Sequence, residues 1–566
     1  MSLLAAAGSV DQPAKLLHIG PNVATMMESL SPASLPLRES VMTHSRRDFL
    51  ADVGKGMIAA GLGTGLATEL GLCPAVAGDE PKDLSFGALE PLVAVLQETP
   101  KDKLLPIVVE KLGAGTDLKR LTAAAALANA RTFGGENYFG FHTFMALAPA
   151  FHMATELPRE RQPLPLLKVL YRNAHYTQEV GGAKHQTLGT LTPISTAGPE
   201  DVHQAVNAGD RATAERALGS IGRTSPEDAL DAALLGVEDN HDVHTVVLPW
   251  RSYAMLDIVG RDNAVTLLRQ SVRQCAKQCA DMKGRDQFLA VQRKMVPALL
   301  EKYKLPKDSR GTRAADDMWI EKLCGTIQLG SQEQAGEAVA AALAEGFAPE
   351  QIGEAISLAA NALVLRQVEK WEGRGNTLLQ RTHGDSPGVH ASDATNAWRN
   401  IIRVSNPRNR AAGLMLAAMD AARSHSFTQG NKASAYVKEP YPHAEQLEKV
   451  TAKTPEDLLK DLHGAIRDND QLRAMAIAQR YGEAGGQARP IFDVLLGFAV
   501  SEDGRLHAEK YYRTTSEEFT TTRPSFRWRQ VVALARVTAS MYGYSQQDKK
   551  EGRAPGYEEA CKLLKI

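Results

Sequence analysis

The stretch "DAALLGVEDNHDVH" at residues 231–244 returns in altered form as "DVLLGFAVSEDGRLH" at residues 493–507, and both end on a histidine. Extending the comparison backwards lengthens the match. "DVHQAVNAGDRATAERAL" (201–218) precedes the first copy and "DLHGAIRDNDQLRAMAIA" (461–478) the second, with His203 and His463 at the same spacing ahead of Asp210 and Asp470. A recurring order of helix, break, helix and histidine constrains the fold more than composition does, because each copy must bury the same narrow apolar stripe against its neighbours. Two weaker copies follow this order. "GALEPLVAVLQETPKDKLLPIVVEKL" leads through "DLKRLTAAAALANARTFGGENYFGFH" to His142, and "GTIQLGSQEQAGEAVAAALAEGFAPEQIGEAISLAANALVLRQ" leads, after an insertion, to "HGDSPGVH" and His390.

The apolar residues recur at three- and four-residue spacing, Ala and Leu dominate, and aromatics make up only 6% of the chain. This pattern predicts an all-α fold. Four duplicated units of roughly four helices each are expected at 84–185, 200–285, 320–428 and 455–545, stacked as a pseudo-symmetric array or as paired domains. The connections "KYKLPKDSRGT" and "TQGNKASAYVKEPYPH" have linker composition. Lys and Arg (65) nearly balance Asp and Glu (66), which gives no electrostatic reason to expect nucleic acid as a partner.

His142, His244, His390 and His507 each stand where a loop is expected to enter a helix. There the unpaired backbone N–H groups and the positive end of the helix dipole oppose a charged imidazole. The neutral form is the one that binds a metal or accepts a proton, so these four are candidate metal ligands. Further candidates gather near them: Glu238, Asp239 and His241 in the second copy, His383 and Asp385 in the third, His152 in the first and Lys510 in the fourth. Imidazole with carboxylate suits a transition metal such as iron or zinc. No HExxH spacing is present, so a site has to be assembled from different helices. The alternative is that the histidines are inherited packing residues bonded within their own units. Cys275 and Cys279 in "RQCAKQCA" share one helix face and read as small buried residues; no CxxCH haem motif or paired CxxC zinc motif accompanies them.

The region "MTHSRRDFLADVGKG" to "GLCPAVAGDE" passes from a basic pair through a Gly/Ala/Leu stretch to Ala75-Val76-Ala77. It resembles a twin-arginine export signal, with Arg46 and Arg47 as the paired arginines and cleavage after Ala77. Residues 42–77 are then the signal peptide, Met42 its start, and 1–41 an upstream extension. The resemblance implies the twin-arginine export machinery as a partner and a periplasmic or secreted location in a bacterial cell envelope. Leu72 ahead of Cys73 argues against a lipoprotein signal, and the mature chain has no apolar run long enough to span a membrane. His507 and Lys510, in "DGRLHAEKYYRTTSEE", resemble the questin oxidase-like family of helical proteins, which implies catalytic roles for these two residues in an oxidation of a small-molecule substrate. Two functions are expected: an exported metal-dependent oxidoreductase with a histidine-lined pocket, or a non-catalytic helical scaffold or binding protein of the cell envelope.

Overall fold

In the computed structural model the described residues are 84–566 apart from 282–288, 306–310, 367–370, 375–376, 381–383, 385, 430–440, 503, 544–553 and 555. The export-signal residues Arg46, Arg47 and Ala77, and the candidates His383 and Asp385, lie outside them. The fold is all-α. One small antiparallel hairpin, β1 (Trp371–Arg374) with β2 (Thr377–Gln380), sits in the insertion ahead of His390. No helix among the described residues is long and apolar enough to cross a membrane.

Residues 84–185 form α1 (Glu90–Glu98), α2 (Lys101–Gly113), α3 (Leu118–Phe133), α4 (Tyr138–Glu156) and α5 (Pro163–Glu179). Residues 199–281 form α6 (Pro199–Ala208), α7 (Arg211–Gly222), α8 (Pro226–Asp239), α9 (Val243–Ala254) and α10 (Ala264–Asp281), followed by α11 (Ala290–Tyr303). The third segment holds α12 (Asp317–Leu329), α13 (Gln332–Ala344), α14 (Pro349–Arg366), α15 (Pro387–Val404) and α16 (Pro407–Gln429). The fourth holds α17 (Pro455–Arg467), α18 (Gln471–Glu483), α19 (Ala488–Ser501), α20 (His507–Thr521) and α21 (Pro524–Met541).

Among the described residues each segment therefore has five helices of nine residues or more where roughly four were expected, the second adding the short helix Leu256–Val259, and the candidate histidine stands on the fourth of the long ones. The extra helix comes from a break that the apolar period bridges. Gly209 (φ 75°) and Asn469 (φ 54°) both turn left-handed. The next residue then caps a new helix: Asp210 accepts from Thr213 N at 3.1 Å and Asp470 from Arg473 N at 3.0 Å. Such side-chain caps satisfy an N–H that the helix start leaves bare and contribute about 1 kcal/mol each.

The histidine-bearing helices α4, α9, α15 and α20 pack in a closed cycle, each touching the next. They run in the same direction: from α15 to α20 the contacts advance from Asp393 with Thr514 (2.8 Å) to Asn400 with Glu517 (3.2 Å), from α4 to α20 they advance from His142 beside His507 to Glu156 with Tyr512 (2.7 Å), and from α4 to α9 from His142 beside His244 to His152, on which Arg251 acts. The remaining helices wrap this central bundle. Alanine-rich faces, such as the wholly buried Ala123–Ala126 run of α3, let the backbones approach closely. Gly388, in the first turn of α15, shows how tight the approach is: a Cβ there would stand 2.7 Å from Val364 N of α14.

Candidate functional site

Because the four central helices share a direction and a starting level, their first turns converge. His142 is in the second turn of α4, after the Asn137 cap accepts from Gly140 N (2.9 Å). His244 follows the Asp242 cap of α9, which accepts from His244 N (2.8 Å). His390 follows the Ser386 cap of α15, which accepts from Val389 N (3.3 Å). His507 opens α20, whose preceding residue Leu506 is left-handed at φ 66°. For a side chain with a Cβ that conformation costs on the order of 1–3 kcal/mol and requires surrounding structure to hold it.

The four imidazoles form a ring. Centre-to-centre distances around it are 4.8 Å (His142–His244), 5.8 Å (His244–His390), 5.3 Å (His390–His507) and 5.8 Å (His507–His142). Tyr138 lies tilted against His142 at 4.2 Å, and Phe141 lies 4.9 Å from His142 and 5.4 Å from His244. His142 and His507 are 4% and 2% exposed.

Hydrogen bonds orient the rings. His142 Nδ1 is 2.7 Å from Tyr138 O, and His507 Nδ1 is 3.1 Å from Gly504 O. A carbonyl only accepts, so each Nδ1 carries the proton and each neutral ring keeps its lone pair on Nε2. His244 Nδ1 is 2.7 Å from Asp242 Oδ1, a carboxyl held well below its usual range by His244 despite burial, and the same tautomer follows. This is the arrangement in which an outer carboxylate or carbonyl orients a metal-binding imidazole. His142 Nε2 is buried with no hydrogen-bond partner. His390 Nε2 and His507 Nε2 stand 3.3 Å apart.

The pKa values of His142 and His507 lie well below the ordinary histidine value, first because of burial and then because of the Lys510 ammonium. The expected neutrality is present, but its causes are burial and a neighbouring charge rather than the helix ends. Lys510 itself is 3% exposed. It stands one turn along α20 from His507 and acts also on Asp393, one turn along α15 from His390.

A buried ion pair fixes the start of α20. Lys168 Nζ, on α5, lies 2.6 Å from Glu509 Oε1, with both side chains fully buried. The same ammonium donates at 2.7 Å to Ala499 O and at 2.7 Å to Glu502 O. One cation thus joins the open carbonyls at the end of α19 to the first turn of α20, across the loop that carries His507.

The other candidates do not join the ring. Glu238 pairs with Arg408 (2.7 Å), Asp239 with His203 (2.6 Å), and His241 accepts from Trp398 Nε1 (3.1 Å). His152 lies further along α4, where burial and Arg513 bring its pKa down to about 4. Cys275 is buried and Cys279 Sγ donates to Asn240 Oδ1 (3.0 Å), as two separate thiols. Sequence reasoning missed Asp242, Asp393, Lys168 and Glu509. Only Asp393 had a visible signal, the shared H-x-x spacing of His390–Asp393 and His507–Lys510.

The donor set suits a transition metal by chemistry, and one edge suits it by distance. With nitrogen–metal bonds of about 2.0–2.1 Å, a 3.3 Å separation subtends an angle of roughly 105–110°, close to tetrahedral. Closure around an ion is not present: among the described residues, no group of three or more His, Cys, Asp or Glu side chains is placed to hold one. The His390–His507 edge is the part that fits, with His142 and His244 facing the same centre at wider spacing.

No family model, curated protein or solved structure matches this chain.

Proposed function

We propose that the histidine ring is a transition-metal centre, iron or zinc, in an exported oxidoreductase acting on a small molecule. One observation carries the reading: four units each supply an imidazole to one place, and the orphaned Nε2 of His142 faces its fellows there. A buried imidazole with no partner for its lone pair loses free energy, so the orphaned Nε2 of His142 would be expensive if packing were its only role. His390 and His507 would hold the metal along their 3.3 Å edge, and His142 and His244 would complete the set. A bound metal would supply Lewis acidity or electron exchange. Lys510 would supply a proton or fix a negative oxygen beside His507, and Asp242 would keep His244 in the binding tautomer. The order of Arg46–Arg47 and Ala75-Val76-Ala77 supports export.

The scaffold reading keeps one observation in its favour, that three histidines already bond through Nδ1 within their own segments. Elemental analysis of protein purified from its native export route separates the two. The site reading expects a stoichiometric metal in the wild type, lost in His244→Ala, His507→Ala with helicity intact. A metal-free wild type, or a double variant that is merely less stable with unchanged metal content, would favour the scaffold.

A further inference from the structure

The interior of the central bundle below the ring is polar where an apolar core would be more stable, and its oddest member is Arg251. This side chain lies on α9, two helical turns or about 10 Å beyond His244. Arg251 is 5% exposed. Among the described residues its guanidinium makes no hydrogen bond and no ion pair, and its Nε is buried without a partner. A buried, always-charged fork of five donors is strongly unfavourable unless acceptors meet it.

The charges that act on Arg251 are Glu517 and Asp393, with Arg513 opposing. Both carboxylates are already engaged elsewhere. Asp393 accepts from Thr514 Oγ1 (2.8 Å); Glu517 accepts from Asn400 Nδ2 (3.2 Å) and lies 2.7 Å from Arg513 Nε. Lys510 also acts on Asp393, so neither carboxylate is left to Arg251 alone. His152, brought down to about 4 by burial and Arg513, adds no charge near pH 7.

Glu517, Arg513, Asn396 and Asn400 also form the wall of a cleft of about 660 Å³, a size typical of small-molecule sites. Its other acids are matched by arginines: Glu518 by Arg399, and Glu156 by Arg489 at 2.7 Å. Arg403 also lines the cleft and bonds Asn400 (2.8 Å) rather than an acid, so the wall carries four arginines against three glutamates, and Glu517 in that wall is the carboxylate that acts on the enclosed Arg251.

We infer that Arg251 is the receptor for a small oxyanion, the carboxylate or phosphate of a ligand entering from the cleft, gripped by both terminal nitrogens of the guanidinium. A planar fork matches such a group with two parallel hydrogen bonds, which a lysine cannot do. As the acidic end of the ring's substrate this ligand rests on the functional reading above. Anion binding itself does not, and it is measured on metal-stripped protein, so each claim can fail alone.

The experiment is calorimetric titration and thermal unfolding of the metal-stripped protein with sodium acetate, sodium succinate and sodium phosphate, against sodium chloride at matched ionic strength. Saturable binding of at least one of the three to the wild type is expected, with the acetate and succinate arms distinguishing a carboxylate ligand from a phosphate. Arg251→Met should weaken it at least tenfold while unfolding no earlier in chloride, because an unpaired buried charge has been removed. Arg251→Lys should bind at intermediate strength. Absence of saturable binding to the wild type, or equal binding by Arg251→Met, overturns the assignment. If Arg251→Met does not fold, Arg251→Lys decides, and wild-type affinity in that variant overturns it.

Discussion

At the residue scale the ring's chemistry is set by what touches each imidazole. Burial and Lys510 both disfavour protonation of His142 and His507. Their folded pKa values lie below the unfolded value of about 6.5, so their contribution to stability is complete above that pH and is lost as the pH falls below it toward the folded values. Lys510→Met removes one of the two main causes. Titration of ¹⁵N-labelled histidines should show both pKa values rising in that variant, with the loss of stability on acidification becoming shallower. Unmoved titrations would mean that burial alone sets them. The four histidines were visible in the sequence because similar stretches end on each of them. It did not show Arg251 as an interior residue, because "LPWRSYA" reads equally well as a helix with its arginine in water.

At the element scale the starts of helices do most of the positioning. Asn137, Asp242 and Ser386 cap three of the central helices, and Asp242 serves twice, as cap to the backbone and as partner to the His244 ring. The fourth start lacks a side-chain cap and relies on the Lys168 clamp. Lys168→Met leaves Glu509 charged and buried, and should cost about 3–5 kcal/mol in denaturant unfolding. Combining it with Glu509→Leu should recover most of that loss, since a buried pair replaced by apolar groups is often near neutral. A double variant no more stable than the single one would place the clamp's value in its bonds to Ala499 and Glu502. The "GVEDNHD" cluster illustrates the opposite case: the end of α8 turns Glu238, Asp239 and His241 to three different partners, which spacing along the chain could not show.

At the scale of the whole molecule, the described residues fall in one compact unit, and the ring exists only when all four segments are present. Superposition of residues 200–285 on 455–545 should pair α6–α10 with α17–α21 and bring His244 onto His507; unrelated positions for the two histidines would refute descent by duplication. Ahead of this body, the order of the paired arginines and the Ala75-Val76-Ala77 triplet predicts a mature chain beginning at Gly78. Intact mass of protein from the secreted fraction checks this, and a mass that still includes residues 42–77 would refute cleavage there.

What the sequence determined by itself was local or repeated: helical period, capping residues, the recurrence of a histidine at each loop-to-helix junction. These are properties of short stretches and hold without reference to the rest of the fold. Only the tertiary structure decided that four junctions meet, that Lys510 and Asp393 lie one turn below them, and that Arg251 is enclosed without a partner. Each of those facts depends on the rotation of one helix against another. A rotation of a single residue step, about 100°, would carry Arg251 to the direction now held by Trp250 or Ser252, away from Glu517 and Asp393.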